Sequence, residues 1–324
     1  MSTVKTRILI ISDTHGMEFG EKPPRSADVA IHCGDLTNGS KLEEFRTAIR
    51  LLKDINAPLK LVVAGNHDFT LDIPAFKHKV AEAALALDSS LVAKEYGLCG
   101  EARQLLNDAR GDGVIFLDEG NHQFELSSGA LLKVYASPWT PALGGWGFQY
   151  PPSKGHDFSI DNQADIVITH GPPKGILDFT HARERAGCPY LFKAIAQARP
   201  SIHCFGHIHE GWGARLVAWR TNVERLEEPN HFNAIDHDQS VLIEKLAGIT
   251  LSQYDTPEDL REKLIKIERY SRDGCCVTSH CSGDEYPLRK GEHTLFVNAA
   301  IEGDENLLSQ KPFLVDIELL RGVS

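Results

Sequence analysis

The stretch LKLVVAGNHDF, residues 59–69, joins an apolar run directly to a glycine, an amide, an imidazole and a carboxylate. An apolar run without alternation suits a strand buried on both faces. The same grammar recurs four times: RILIIS into DTHG (7–16), ADVAIHC into GDLTNG (27–39), ADIVIT into HGPP (164–173) and SIHCF into GHIHEG (201–211). Each strand ends in residues that bind metals or move protons, and stability alone rarely requires that.

The segments between carry helix signals. Ser40 and Glu43 read as a capping box, followed by Leu42, Phe45, Ile49 and Leu52 at helical spacing until Asn56 and Pro58 stop the run. Pro74 opens a helix through AFKHKVAEAALAL (75–87), and Pro189 opens YLFKAIAQA (190–198), which Pro200 ends. GVIFLD, HQFELS and LLKVYAS read as strands. The loop SPWTPALGGWGFQYPPSKG (137–155) follows, long enough to suggest a function. From about 221 the chain turns polar. Thr256 as N-cap, Pro257 and the stripe Leu260, Leu264 and Ile267 mark one helix there, before HTLFVNAAI and PFLVDIEL return as strands. We expect a single domain over 1–324 with a polar insertion at about 221–292 and closing strands in 293–324.

Composition narrows the class. With 324 residues, 42% hydrophobic and 24% charged, the chain reads as soluble and globular. A net charge of −11 gains nothing from counterion release, so no nucleic-acid polymer is expected as partner. MSTVKTRILIISDTHG lacks the apolar core of a signal peptide, and no stretch approaches a membrane span. Seven cysteines without paired spacing read as reduced thiols. Together these place the protein in the cytoplasm or nucleus, not among secreted proteins. Oligomeric state is not legible.

The strand ends collect Asp13, His15, Asp35, Asn66, His67, His170, His207 and His209. In extended backbone residues i and i+2 point to one side, so Asp13 with His15, and His207 with His209, are each expected to grip an ion together. In open α/β sheets ligands bind beyond the carboxyl ends of strands. A lone histidine at a strand end is usually a polar loop residue, and the chain has 15 histidines. Five successive strand ends carrying such residues beside glycine form a joint event. Seven candidate ligands, with Asp35 available to bridge, suit two ions about 3.5–4 Å apart. Nitrogen and oxygen donors without thiolate suit divalent or trivalent Mn, Fe, Zn or Co.

These motifs, D-x-H (13–15), G-D (34–35), G-N-H-D (65–68), H-G (170–171) and G-H-x-H (206–209), resemble the calcineurin-like metallophosphoesterase superfamily. SPWTPALGGWGF and LFVNAAI further resemble its metallophosphoesterase-domain-containing and class III cyclic nucleotide phosphodiesterase-like branch. The resemblance implies an α/β fold, a four-layer αββα sandwich of two mixed β-sheets flanked by helices. It implies one metal held by Asp13, His15, Asp35 and His209, and a second held by Asp35, Asn66, His170 and His207. It gives His67 the role of general acid, with Asp68 orienting its imidazole. The implied reaction is hydrolysis of a small phosphodiester, cyclic nucleotides foremost, by a metal-bound hydroxide. A phosphomonoesterase, a dinuclear site redirected to a non-phosphate metabolite, and a non-catalytic scaffold stand as alternatives.

Trp139, Trp146, Phe148 and Tyr150 are candidates to stack on substrate or to pack their loop. His181 and Arg183 are candidates for a substrate anion or simply surface residues. Cys275, Cys276, His280 and Cys281 lack the spacing of a zinc site. His231, Asp236, His237 and Asp238 read as a polar surface loop.

Overall fold

Alternation within the first strand sets the architecture. In β1 (Thr3–Ile11), Ile8 and Ile10 enter one buried cluster, while Leu9 and Ile11 enter another. A strand apolar on both faces must be covered on both sides. The computed structural model describes residues 2–19, 25–83, 88–303 and 307–322.

After β1 come β2 (Val29–His32), α1 (Leu42–Asp54), β3 (Leu59–Val62), α2 (Ile73–Ala83), α3 (Ser89–Tyr96), α4 (Glu101–Asp108) and β4 (Val114–Phe116). Then follow β5 (Gly120–Glu125), β6 (Leu131–Ser137), the short β7 (Thr140–Pro141) and β8 (Gln149–Tyr150), β9 (Ile166–Thr169), α5 (Pro189–Ala198), β10 (Ile202–Phe205) and β11 (Gly213–Trp219). The last are β12 (Ile235–Lys245), α6 (Pro257–Asp273), β13 (Cys276–Ser279), β14 (His293–Asn298) and β15 (Phe313–Leu320).

Two large sheets result, with strand orders β13-β15-β1-β2-β3-β4 and β12-β11-β14-β10-β9-β6-β5. Both are mixed: β1 runs parallel to β2 and antiparallel to β15, and β14 runs parallel to β10 and antiparallel to β11. Ile8, Ile10 and Ile31 of the first sheet share a core with Val134, Ile168 and Val297 of the second. The outer face of the first sheet packs Leu9, Ile11 and Val62 against Phe45 and Leu52 of α1 and Leu106 of α4. The outer face of the second packs Val167, Phe205 and Phe296 against Leu191, Phe192 and Ile195 of α5. The layers run helix, sheet, sheet, helix, as the resemblance implied.

Local signals held with some shifts. Thr256 caps α6, its Oγ1 accepting from Asp259 N–H at 3.2 Å. The cap of α1 lies one residue later than expected. Lys41 is the N-cap and Glu44, not Glu43, accepts its N–H at 2.9 Å, because the Ser40 hydroxyl is engaged with Thr70 at 2.8 Å. The expected helix after Pro74 is described to Ala83; 84–87 lie outside the described residues. The segment 221–292 supplies an edge strand to each sheet, β12 and β13. The expected stripe of α6 is half exposed at Leu260 and Leu264, and its buried residue is Tyr270. No helix among the described residues is long and apolar enough to cross a membrane.

Candidate metal centre

All five motifs fall just beyond strand ends. Asp13 and His15 follow β1, Asp35 follows β2, and Asn66 and His67 follow β3 in the first sheet; His170 follows β9, and His207 and His209 follow β10 in the second. The two sheets bring these ends together. His209 Nε2 lies 3.4 Å from Asp13 Oδ1, and His15 Nε2 lies 4.0 Å from Asp13 Oδ1 and 3.9 Å from Asp35 Oδ2. His170 Nε2 lies 3.2 Å from Asp35 Oδ2 and 2.9 Å from Asn66 Oδ1. Three groups have donor atoms within 4.8 Å of one another: Asp13, His15 and His209; His15, Asp35 and His67; and Asp35, His170 and His207.

The backbone reaches this arrangement by a route the sequence reading missed. Asp13, His15, Asp35 and His207 have φ of 56°, 46°, 52° and 69°, in the left-handed region. The two-apart pairs therefore do not converge through extended backbone, as expected from their spacing. Each sits in a tight left-handed turn, a conformation that side chains adopt at some energetic cost and that concentrates at functional sites. Glycine permits the close approach. A Cβ on Gly206 would run into the Asp13 carboxylate and the Ser12 hydroxyl, and one on Gly65 would run into Asp35 and lie 2.7 Å from His170 Cε1.

Electrostatics follow from burial. Asp13 and Asp35 are buried, and among the described residues their ion partners are imidazoles. Burial alone would raise the Asp13 carboxyl, but hydrogen bonding to His209 and the charges of His209, His170 and His15 hold it well below the usual range. Burial likewise opposes Asp35, and the charge and hydrogen bond of His170, with the charge of His15, hold it low. The imidazoles shift in return. Burial lowers His15, yet Glu302, Asp35 and Asp13 bring it up to about 9. Burial lowers His170, yet Asp35 and Asp13 bring it up to about 9. Burial, reinforced by His170, pushes His207 down to about 4.

This set fits cations. Asp13 and Asp35 are buried carboxylates faced by imidazoles, a setting in which a cation would supply the compensating charge. Neither ring nitrogen of buried His15 makes a directed hydrogen bond, so both are free to coordinate. His170 Nδ1 donates to the Cys33 carbonyl at 3.0 Å, which aims Nε2 at the Asp35 and Asn66 oxygens; on losing its Nε2 proton to a cation the ring would present that nitrogen as a ligand.

Asp68 does not stand behind His67. Its carboxylate accepts from Gly65 N–H at 2.8 Å, Leu36 N–H at 3.1 Å, Thr37 N–H at 3.0 Å and the Thr37 hydroxyl at 2.7 Å, tying the Asp35 loop to the Asn66 loop. Burial and then the charge of Asp35 push its carboxyl up to about 7 against those hydrogen bonds. The His67 ring is held instead by the Asn38 carbonyl, 2.6 Å from Nδ1. Trp146 stacks on His67, ring centroids 4.1 Å apart and planes 28° apart. Trp139 and Phe148 meet edge to face at 5.9 Å, and buried Tyr150 donates to Cys188 Sγ at 2.8 Å, so these three pack the loop.

His181 is exposed and lines, with His207, His209 and Gln310, a cavity of about 280 Å³. Both nitrogens of His280 are engaged, with the Thr278 hydroxyl at 2.9 Å and the Tyr286 carbonyl at 2.7 Å, and burial pushes Cys275 and Cys276 up to about 11 and about 12. No metal group forms there among the described residues. Asp236, His237 and Asp238 belong to β12 and not to a loop. Sequence reasoning missed Asn298, whose Nδ2 donates to the carbonyls of Leu177 at 3.2 Å and Ile208 at 2.8 Å and so fixes the His207–His209 turn. The Asn-Ala pair that closes β14 was its only signal.

Two back-to-back mixed sheets with carboxylates and imidazoles gathered at their strand ends define an α/β protein with a candidate metal-binding His/Asp cluster. Residues 6–211 match the description of the calcineurin-like phosphoesterases, and the chain belongs to that family. The probable rhamnogalacturonate lyase C of Emericella nidulans is 34% identical over 217 residues, 66% of this chain and 18% of that protein. Metallophosphoesterase domain-containing protein 1 of Homo sapiens is 32% identical over 225 residues, 67% of this chain and 65% of that protein. The matches thus span less than two thirds of either relative. Among solved structures, the phosphopantetheinyl hydrolase PptH from Mycobacterium tuberculosis is similar at 14% identity and a TM-score of 0.38, over 70% of this chain and 94% of that one. That likeness is too faint to bear on function.

Proposed function

We propose that this chain hydrolyses a small phosphodiester, with cyclic nucleotides as the leading class, at a pair of metal ions. Asp13, His15, Asp35 and His209 would hold one ion, and Asp35, Asn66, His170 and His207 the other. The observation that carries this reading is Asp35, whose Oδ2 lies 3.9 Å from His15 Nε2 and 3.2 Å from His170 Nε2, between the two assigned sets. When bound, such a pair acidifies water and neutralises charge on phosphoryl oxygens.

The protein's own part is orientation and proton transfer. Asn38 engages His67 Nδ1, which leaves Nε2 to donate a proton to the leaving oxygen. Trp146 covers one face of that ring and limits how it can turn. Asp68 fixes the separation of the loops that carry Asp35 and His67. The cavity beside His207 and His209 is lined by Glu210 and Gln310 and by no lysine or arginine among the described residues. A dianionic monoester would find imidazoles and the Glu210 carboxylate there but no lysine or arginine, which favours the single charge of a diester. Seven free cysteines support a reducing compartment, cytoplasm or nucleus. On this reading 221–292 belongs to the same domain as the site, since its strands extend the sheets that carry the ligands.

The test is turnover of bis(p-nitrophenyl) phosphate against p-nitrophenyl phosphate by manganese-loaded protein, followed by a screen of cyclic nucleotides. Preference for the diester is expected. Faster turnover of the monoester would assign the site to phosphomonoesters instead.

A further inference from the structure

Beside the candidate metal centre lies a second cavity, of about 400 Å³. It forms where the turn after β10 meets β11 and β12, and it shares Glu210 and Leu246 with the cavity that His207 and His209 line. One side chain ties the two places together. Asn298 Nδ2 donates to the carbonyl of Leu177, a wall of the second cavity, at 3.2 Å, and to that of Ile208, between the two histidines, at 2.8 Å.

The charge of this cavity runs against that of the chain. Arg185, Arg215 and Lys245 line it against one carboxylate, Glu210, in a protein of net charge −11. Glu210 Oε1 is already engaged by the His181 N–H at 3.0 Å. Arg185 is engaged too: its Nη1 donates to Asp178 at 2.7 Å, and its guanidinium lies 4.1 Å from the ring centroid of Phe179. Arg215 has no such counterion. Its Nη2 donates to His237 Nδ1 at 3.1 Å, a neutral acceptor, because His237 Nε2 donates to the His231 carbonyl at 2.8 Å. Among the described residues no carboxylate pairs with Arg215 or with Lys245. Burial and the charge of Arg185 push the Arg215 guanidinium below its ordinary value. A half-buried guanidinium beside another, without a counterion of its own, is a position that an anion completes. Its planar fork matches two oxygens of a phosphate.

We infer that this cavity is a subsite for a second phosphate of the substrate, beside the ester that the metal centre would cleave, with Arg215 and Lys245 as its donors. The inference rests on the phosphodiester reading above and narrows it. A cyclic nucleotide bearing a further phosphate would use both cavities, whereas one without it would leave the two cations unpaired. The division of charge suits this: the cavity at the histidines has no lysine or arginine, and its neighbour has three.

The experiment compares adenosine 2′,3′-cyclic phosphate with and without a further phosphate on its 5′ oxygen. Calorimetry on metal-stripped protein reads binding, and kinetics on manganese-loaded protein read KM. The form with the second phosphate is expected to bind wild type at least about tenfold more tightly, and to have a KM lower by a similar factor, the scale of one hydrogen bond to a charged group. Arg215→Gln is expected to abolish that margin, and Lys245→Gln to reduce it. Equal binding of the two forms by wild type would overturn the inference, as would a margin that survives both substitutions. A margin in binding with none in KM would place the anion off the path of the substrate and overturn the subsite. A margin in binding with turnover of neither form would uphold the anion site and overturn the phosphodiester reading instead. Should Arg215→Gln fold poorly, Lys245→Gln decides, since Lys245 is exposed; an undiminished margin there would end the proposal.

Discussion

At residue 67, distance alone does not distinguish a metal ligand from an acid, because the ring shares a donor group with His15 and Asp35. The hydrogen bond to Asn38 and the stack on Trp146 favour the acid, since both fix the ring from outside the centre. His67→Ala is therefore expected to keep its metal content and to lose roughly 10²–10⁴ in kcat; metal analysis beside kinetics checks both, and an emptied site would make His67 a ligand. Asp68→Asn tests a different role. An amide in place of a carboxylate turns a donor toward backbone N–H groups of Gly65, Leu36 and Thr37. Urea unfolding is expected to show a loss of about 1–3 kcal/mol. At this scale the sequence named the right residues and mistook one relation. Asp68 adjoins His67 in the chain, but a turn sends neighbouring side chains apart, and the group that holds the ring is a backbone carbonyl, which no residue type announces.

Among elements, the strands were legible because buried parallel strands are continuously apolar, as in RILII and LKLVV. β12 and β13 were not, because edge strands alternate and carry charge; β12 holds Asp236, His237, Asp238 and Glu244. The turns after the strands were legible as sites but not as conformations, and their glycines are the means of close approach. Gly206→Ala is expected to lower metal affinity and to destabilise by about 1–3 kcal/mol, because the new methyl meets Asp13 and Ser12; calorimetric titration with manganese and a thermal melt read the two effects, and wild-type values would deny the glycine this role. β10 also carries a pH dependence. His203 is buried and Nε2 lies 2.9 Å from the Thr169 hydroxyl, which donates to the Gly171 carbonyl at 2.8 Å; the hydroxyl thus accepts from Nε2–H, and Nδ1 has no partner. Burial pushes this imidazole down to about 3. Below the ordinary histidine value of about 6.5 the unfolded chain takes up a proton that the folded chain refuses until about 3. The stability His203 allows is therefore complete above about 6.5 and falls with acid through that window, at up to about 1.4 kcal/mol per pH unit. His203→Phe should flatten that acid limb in unfolding measurements between pH 4 and 7, and an unchanged slope would show that His203 does not stay neutral.

In the whole molecule the candidate ligands divide between the layers. Asp13, Asp35 and Asn66 extend from the first sheet, His170, His207 and His209 from the second, and the inner core of Ile8, Ile31, Ile168 and Val297 lies behind them. Ions held by both sets would fasten one sheet to the other at the end where the apolar interface stops. Their binding energy then adds to global stability, about 2.7 kcal/mol per site at a hundredfold excess over Kd. The proposed assignment makes this graded: Asn66 would serve one ion and Asp35 both, so Asn66→Ala is expected to lose one increment of metal-dependent stabilisation and Asp35→Ala both. Thermal melts of wild type and the two variants, with and without manganese and with bound metal counted, read the increments directly. Since Asp35→Ala also unpairs buried His170 and the His67 N–H, each variant's increment is read against its own metal-stripped form. Equal losses in the two variants would mean that no side chain is shared between the ions, and the bridging role assigned to Asp35 would fall with the dinuclear mechanism built on it.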